Sequence, residues 1–580
     1  MPRFSLLDGS WISVHNITAG PHPAGPREVG LREALTRADQ LFFGVATSQD
    51  VALFRLLAAV YAAAVGPQSV EEWDAAFTGP VPADRIGAYL DRYAHRFDLL
   101  HPETPFLQCA ELETPSAGVG VLNLAHRGAE GAFFDSRLSR GVDEHPPMHP
   151  AEAARALLET LAFDTAGVRT PAPGDPSARR NKIYGSRIGS IAQVTHLHIT
   201  APGLPLHQQL LLNLPPGPRA EGDAPVWERP PAAAPMQIRP VAGPLDYWTL
   251  PTRRIRLFPG ADGMVERVAV YDGDRPENGT WPALTALDPM SAWEITEKGK
   301  LRPFSVLDYA NVARPWATSL LLTGRPEHRP ALSHVLAAAE RGAIPAATRL
   351  DTTAVQTVHR DRYHSSLAFI EVQQSLLGTA AQLADPHQRR ILAARARQTD
   401  QIRIKLVATA ARVADKAPDQ ITQYITLSVL QPEWEEMVLT TAESPEGGHA
   451  DWSRALKDEA LAQLRRIPLP TRTRALLAAE MKVGGLTFEL APDPDPDPDP
   501  DPDPDQQGEP APKKTGAGRK AAKYPAFGGL YSLHEIADLP QCVVSYPSLA
   551  KRVREGWTVE EAAQTPPRRG PGARPDRQQP

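Results

Sequence analysis

Only two cysteines, Cys109 and Cys542, occur in 580 residues, and they lie far apart. That scarcity excludes a disulfide framework and a cysteine-built zinc cluster, and it fits a reducing, cytoplasmic compartment. Long hydrophobic runs are missing too. The most apolar stretch, Val51 to Val65, is interrupted by Arg55. The uninterrupted part after Arg55 is too short to span a bilayer, so it predicts a buried helix and no membrane partner. The opening MPRFSLLDGSW carries Asp8 where a secretory signal needs its apolar run. Catalytic signatures are equally scarce. G-x-x-x-x-G-K-[ST], G-x-S-x-G, H-E-x-x-H and G-x-G-x-x-G are all absent. His196 and His198 alternate within a strand pattern, and His359 and His364 stand near one another. Neither pair has a third ligand nearby, so paired structural histidines are the plainer reading. The expectation is a protein without catalytic residues, metal or cofactor.

Proline, by contrast, is abundant: 60 residues, about twice the usual ~5%. So many helix breakers exclude a helical rod and favour a loop-rich, mixed architecture. The net charge of −6 conceals a partition. Residues 1–490 carry −4, residues 491–512 carry −8 and residues 513–580 carry +6. An acidic spacer thus separates a near-neutral body from a basic tail.

From residue 1 to about 360 the pattern is α+β, without the regular βαβ rhythm of a doubly wound sheet. Helical spacing marks Gly30 to Gln40, residues 48–65 (with Ser48 as cap) and residues 151–163. Strand signals mark Ile12 to Val14, Gln193 to Thr200, Leu210 to Leu214, Arg253 to Phe258 and Val265 to Tyr271. Residues 361–490 read as a helical, four-helix-type bundle, with helices at 363–383, 386–416, 419–441, 450–466 and 471–483. Asp385-Pro386 supplies a cap followed by proline at the first helical position. Residues 491–523 form a linker built around a strict Asp–Pro repeat, which repels itself and cannot build a core. A small helical module at 524–566 and a tail at 567–580 complete the chain.

Six segments, in this order, resemble one family. They are FSLLDGSWISV (Phe4 to Val14), GLREALTRADQL (Gly30 to Leu41), HPETPFLQ (His101 to Gln108), LLLNLP (Leu210 to Pro215), GPLDYWTLPTRRIRL (Gly243 to Leu257) and DPMSAWE (Asp288 to Glu294). Together they resemble the large subunit of the type I-E CRISPR Cascade complex, the CasA family. The resemblance implies a non-enzymatic subunit whose partners are a CRISPR guide RNA, double-stranded target DNA, other Cascade subunits and a helicase-nuclease. Guide pairing would read the target while protein reads a short duplex motif, the PAM. The alternatives are a hydrolase or nuclease with an unfamiliar site, and a DNA-binding regulator acting through the tail.

The resemblance also nominates residues. The family's glycine loop is matched by NKIYGSRIGS, where Gly185 and Gly189 would let backbone approach a base edge and Lys182 and Arg187 would neutralise phosphates. Its lysine finger is matched by Lys298, with Lys300 beside it. Its strand-opening wedge falls near Thr352 and Thr353, with Gln356 following, although the family favours a longer amide side chain there. Each of these also suits an ordinary solvated turn or strand. Phe133 and Phe134 beside Arg137 and Arg140 pair rings that can stack on unpaired bases with cations that hold phosphate, so the segment 113–140 is expected to dock RNA or a neighbouring subunit. In the bundle, Arg395 and Arg403 belong to a basic helix face that would guide DNA. The tail, Leu530 to Pro566, resembles a helix-turn-helix module, with Lys551, Arg552 and Arg554 on its second helix and Trp557 closing its core. A protein-docking appendage is the alternative there.

Overall fold

In the computed structural model the described residues are 2–17, 25–124, 146–186, 194–277, 287–359 (except 297, 309 and 310) and 367–467 (except 423, 443 and 445–447). Near the C-terminus they are 523–526, 529–532, 536, 542, 549, 552–553 and 557–565. The chain divides into two units, Met1–Asp495 and Pro496–Pro580.

In the first unit, Ser48–Val65 is a helix whose cap is Thr47, one residue earlier than the sequence suggested. The Thr47 hydroxyl accepts from the Asp50 amide (3.2 Å), and the Asp50 carboxylate accepts from the Thr47 amide (2.9 Å). This reciprocal box satisfies two otherwise orphaned donors. Val51 through Tyr61 are all buried. Arg55 among them lies 3.4 Å from Asp288, and its guanidinium sits 5.9 Å from the Tyr247 ring. A charge so deep requires such a partner. The helix Pro150–Phe163 packs beside Ser48–Val65 and has proline in its first turn, where a missing amide hydrogen costs nothing.

Five antiparallel strands organise the middle of the unit. Their spatial order is Leu301–Pro303, Ser291–Ile295, Thr195–Thr200, Arg349–His359, Leu367–Thr379. Register decides which ends coincide. His196 faces both Ser291 and Val355, while Thr200 faces Asp351. The connection after Ile295 and the far end of the long ladder at His359 therefore lie at the same end of the sheet, where Thr195–Thr200 begins. Thr200, Arg349 and Thr379 mark the opposite end. A second sheet joins Ala117–Gly118, Val265–Asp272 and Arg253–Pro259. Arg253 and Arg254 are buried there. They donate to Asp164 and Asp274, each at 2.6 Å.

Three expectations change. The apolar residues at the start of the expected strand Leu210 to Leu214 belong instead to the helix Leu206–Leu212; a short apolar run fits either state. Residues 367–379 are a strand, not part of a helix: LAFIEVQQSLLGT pairs along its length with Arg349–His359. The helices that come next are Ala380–Ala384 and Pro386–Ala414. The stretch 419–441 is broken into Pro418–Thr422 and Gln431–Thr441, with Leu427 in the left-handed region between them. His449–Arg466 agrees with the expected helix, and 471–483 lies outside the described residues.

In the second unit a hairpin pairs Lys523–Ala526 with Gly529–Ser532, an element the helical reading of this region did not include. Val559–Gln564 starts with the expected capping box, the Thr558 hydroxyl donating to Glu561 at 2.6 Å. Ile536, Leu549, Ala562 and Ala563 are buried. Trp557 does not close this core. It is 42% exposed, with the Arg552 guanidinium 5.3 Å above its ring.

Candidate nucleic-acid interface

The strands Ser291–Ile295 and Leu301–Pro303 are joined by a tight, tied turn. The Gly299 amide donates to the Thr296 carbonyl (2.8 Å), the Thr296 amide to the Lys300 carbonyl (2.9 Å), and the Lys300 amide to the Thr296 hydroxyl (3.1 Å). Gly299 has φ +72°, a conformation glycine adopts without strain. Below the turn, Arg302 pairs with Glu294 at 2.7 Å across the strands. Lys298 and Lys300 are both exposed. Two ammonium groups are thus carried on an ordered tip rather than a loose loop.

A second exposed basic turn spans 179–182. The Arg179 amide donates to the Lys182 carbonyl (2.9 Å) and the Lys182 amide to the Arg179 carbonyl (3.1 Å). Arg180 and Asn181 have φ +52° and +58°, the left-handed pair of a primed hairpin turn. Arg179, Arg180 and Lys182 are exposed. Gly185 comes next in the strand Ile183–Ser186, which pairs with Gly167–Arg169. It therefore sits in a ladder, not in the open loop expected. Arg187 and Gly189 lie outside the described residues.

The wedge mapping needs correction. Thr352 and Thr353 are 0% and 4% exposed in the middle of a strand paired on both sides, with the Thr352 hydroxyl donating to the Ser375 carbonyl at 3.3 Å. Gln356 is engaged inside: its side-chain oxygen accepts from the Ser305 hydroxyl (3.0 Å) and the Val306 amide (3.1 Å). A residue locked in a central strand cannot enter a duplex.

The outward basic face of the bundle needs the same correction at two positions. Arg395 and Arg403 are 5% and 2% exposed. Arg395 donates to the Thr441 hydroxyl and lies 3.0 Å from the Met437 sulfur. Arg403 donates to the Ile425 carbonyl (3.1 Å) and to the Asp308 carboxylate. Both point into the protein because they continue the stripe made by Leu392, Ala396, Thr399, Ile402 and Leu406, all buried. Lys405 and Arg412 occupy the exposed side.

Phe133, Phe134, Arg137 and Arg140 lie outside the described residues, as do Lys551 and Arg554. Arg552 is described, and its guanidinium donates to the carbonyls of Ala562 (3.0 Å) and Thr565. It ties down the last helix, so it is not a free donor for a groove. His196 and His198 are buried. Desolvation pushes His198 down to about 3, its ring edge-on to Phe54 at 4.3 Å, and holds His196 well below the usual range. Among the described residues no three His, Cys, Asp or Glu side chains converge as metal ligands would. Sequence reasoning missed a polar cleft at the Thr200 end of the five-stranded sheet, because its lining comes from five separate segments.

Ordered turns that carry exposed cations suit surface recognition of an extended anion. The class they define is a surface binder built on a mixed α+β body. Comparison with known proteins then gives the family. The CRISPR-associated protein Cse1 profile matches residues 5–464, and the chain belongs to that family. A curated relative, CRISPR-associated protein CasA/Cse1 of Thermus thermophilus, is 34% identical over 318 residues, 52% of this chain. The match spans 57% of that relative's length. Its double name joins the CasA resemblance and the Cse1 profile into one family. The crystal structure of Thermobifida fusca Cse1 superposes with a TM-score of 0.70 at 25% identity, covering 84% of this chain and 99% of that one. A chain of a CRISPR RNA-guided surveillance complex shares the fold, with a TM-score of 0.60 at 19% identity, covering 84% of this chain and all of the other.

Proposed function

We propose that this chain is the large, non-catalytic subunit of a type I-E RNA-guided surveillance complex, working in the cytoplasm. The family match over residues 5–464 carries the reading. Its partners in this reading are guide RNA, other Cascade subunits, duplex target DNA and a helicase-nuclease. The Lys298–Lys300 turn reads the PAM from the groove, and the turn at 179–182 holds flanking phosphates. The tied backbone of the turn loses little freedom on binding, so only the lysine side chain has to be ordered, which favours a specific contact over a diffuse one. The acidic linker 491–523 presents the small module 524–566 as a second, low-specificity DNA contact, through Lys551 and Arg554.

The test compares a PAM-bearing duplex with the same target already opened. Lys298→Ala is expected to weaken duplex binding by about 1–3 kcal/mol, the range of one base-edge contact, and to leave the opened target nearly unaffected. Equal loss on both substrates, or none on either, would remove the PAM assignment.

A further inference from the structure

The five-stranded sheet ends in two edges, and they are built differently. One, Leu301–Pro303, is three residues long and closes on Pro303, which has no amide hydrogen to offer. The other, Leu367–Thr379, has 13 residues and pairs on one side only, with Arg349–His359. Its second half is covered. The Gln431 side chain donates to the Gln374 carbonyl at 3.1 Å, and the Gln374 side chain donates to the Val45 carbonyl at 3.4 Å. A carbonyl taken from that side points away from the partner strand. By the two-residue period of a strand, the amides and carbonyls of Val372 and Ile370 point the same way. Among the described residues nothing bonds to them.

The side chains of this open half are not those of a protected edge. Residues 367–372 read Leu-Ala-Phe-Ile-Glu-Val, with one charge and with neither the lysine nor the proline that ordinarily keeps an edge from pairing. Alternation sends Ile370 and Val372 to one face and Phe369 and Glu371 to the other. Phe369 is 40% exposed. Glu371 is partly buried, and burial pushes its carboxyl above the usual range with no cation among the described residues to offset it. These features choose the occupant. Glu371 repels a nucleic-acid strand, and the neighbouring Gln356 to His359 set no lysine or arginine against that repulsion. A second copy paired antiparallel about Ile370 would place Glu371 opposite Phe369 and leave both carboxylates uncompensated. An extended strand of another protein fits the edge if it carries a lysine or arginine opposite Glu371 and an apolar residue on either side. The cation then answers the carboxylate, and its neighbours cover Ile370 and Val372.

We propose that the edge at residues 367–372 takes up an extended strand of a partner protein, reading apolar, Lys or Arg, apolar where it passes Glu371. The proposal does not rest on the PAM reading. The probe is a cyclic hairpin peptide, whose closed ring holds its outer strand extended, with valine, lysine and valine at the centre of that strand. Fluorescence anisotropy follows its binding to the full-length protein, and binding should saturate. The same peptide with glutamate for lysine should bind about five- to tenfold more weakly. With its outer amides N-methylated it should bind about tenfold more weakly or worse. Glu371→Gln should remove most of the preference for lysine over glutamate. Val372→Pro deletes an outward amide hydrogen and spares the ladder to Arg349–His359, so it should weaken binding by about tenfold or more. Ile370→Lys should do the same if the proline variant fails to fold. Lys298→Ala should leave peptide binding unchanged, whatever it does to duplex affinity. Absence of saturable binding, equal binding of the N-methylated peptide, or a lysine preference that survives Glu371→Gln would overturn the proposal. So would dimerisation of the chain that Ile370→Lys abolishes, which makes a second copy the occupant, or binding of a single-stranded oligonucleotide that it abolishes, which makes the occupant a nucleic acid.

Discussion

Arg403→Met should cost the protein stability and leave its DNA affinity alone. Arg403 is 2% exposed, and its guanidinium is shared between the Ile425 carbonyl and the Asp308 carboxylate. Asp308 also accepts the Val312 amide at 2.8 Å, so it is anchored and cannot swing to water when its counter-charge goes. Removing one member of a buried pair costs about 3–5 kcal/mol, because the remaining charge stays desolvated. Replacing both members, in Arg403→Met with Asp308→Leu, should recover much of that loss, since the pair repays little beyond its own desolvation. A double-mutant cycle in urea reads this coupling directly. Trp434 and Trp452, buried nearby in the same helical region at 0% and 1% exposure, provide the fluorescence signal. An unchanged urea midpoint together with a shallower dependence of DNA affinity on salt would refute the reasoning and restore Arg403 to the surface.

Three further outcomes are expected. Burial pulls His198 down to about 3 and His334 to about 4, against 6.5 for an unburied histidine. The unfolded chain therefore takes up protons first. Stability is intact above pH ~6.5 and falls by about 1.4 kcal/mol per pH unit per histidine below it, so moving from pH 7 to pH 5 should cost about 3–4 kcal/mol from these two, with His196 adding in the same direction; identical urea midpoints at the two pH values would contradict this. A chain ending at Asp505 should bind duplex DNA more weakly and with a shallower salt slope than the full chain, and matching curves would remove the DNA role of the tail. Phe133→Ala with Phe134→Ala should release the chain from guide RNA and its neighbours at unchanged thermal stability, whereas normal assembly would show that the rings do other work.

Much of the fold was legible where local signals are strong. The polar start at Ser48 with Asp50 in the first turn, and Asp385 followed by Pro386, located two long helices to within a residue or two. Legibility failed where long-range pairing overrides local pattern. Residues 367–379 contain Phe369, Ile370 and Val372 but no clean alternation, and only the partner strand fixes them as β. Arg395 and Arg403 were misplaced for a different reason. Their spacing from Leu392, Thr399 and Leu406 puts them on the inner stripe, a signal present in the sequence but outweighed by their charge. The exposed turn position of Lys298 was legible because Lys-Gly-Lys between strand residues favours a turn tip. The cleft beside Ser375 was not, since residues 42, 200, 349, 375 and 435 meet only through the sheet's register.

The central claim is membership in an RNA-guided assembly, and one pull-down tests it most directly. The full-length chain, tagged and recovered from its own cells under native conditions, should bring down several other proteins in fixed proportion and a short RNA. Sequencing that RNA should give repeat-derived ends flanking variable guide sequence. Recovery of the chain alone, free of RNA and hydrolysing a nucleic acid by itself, would contradict the account.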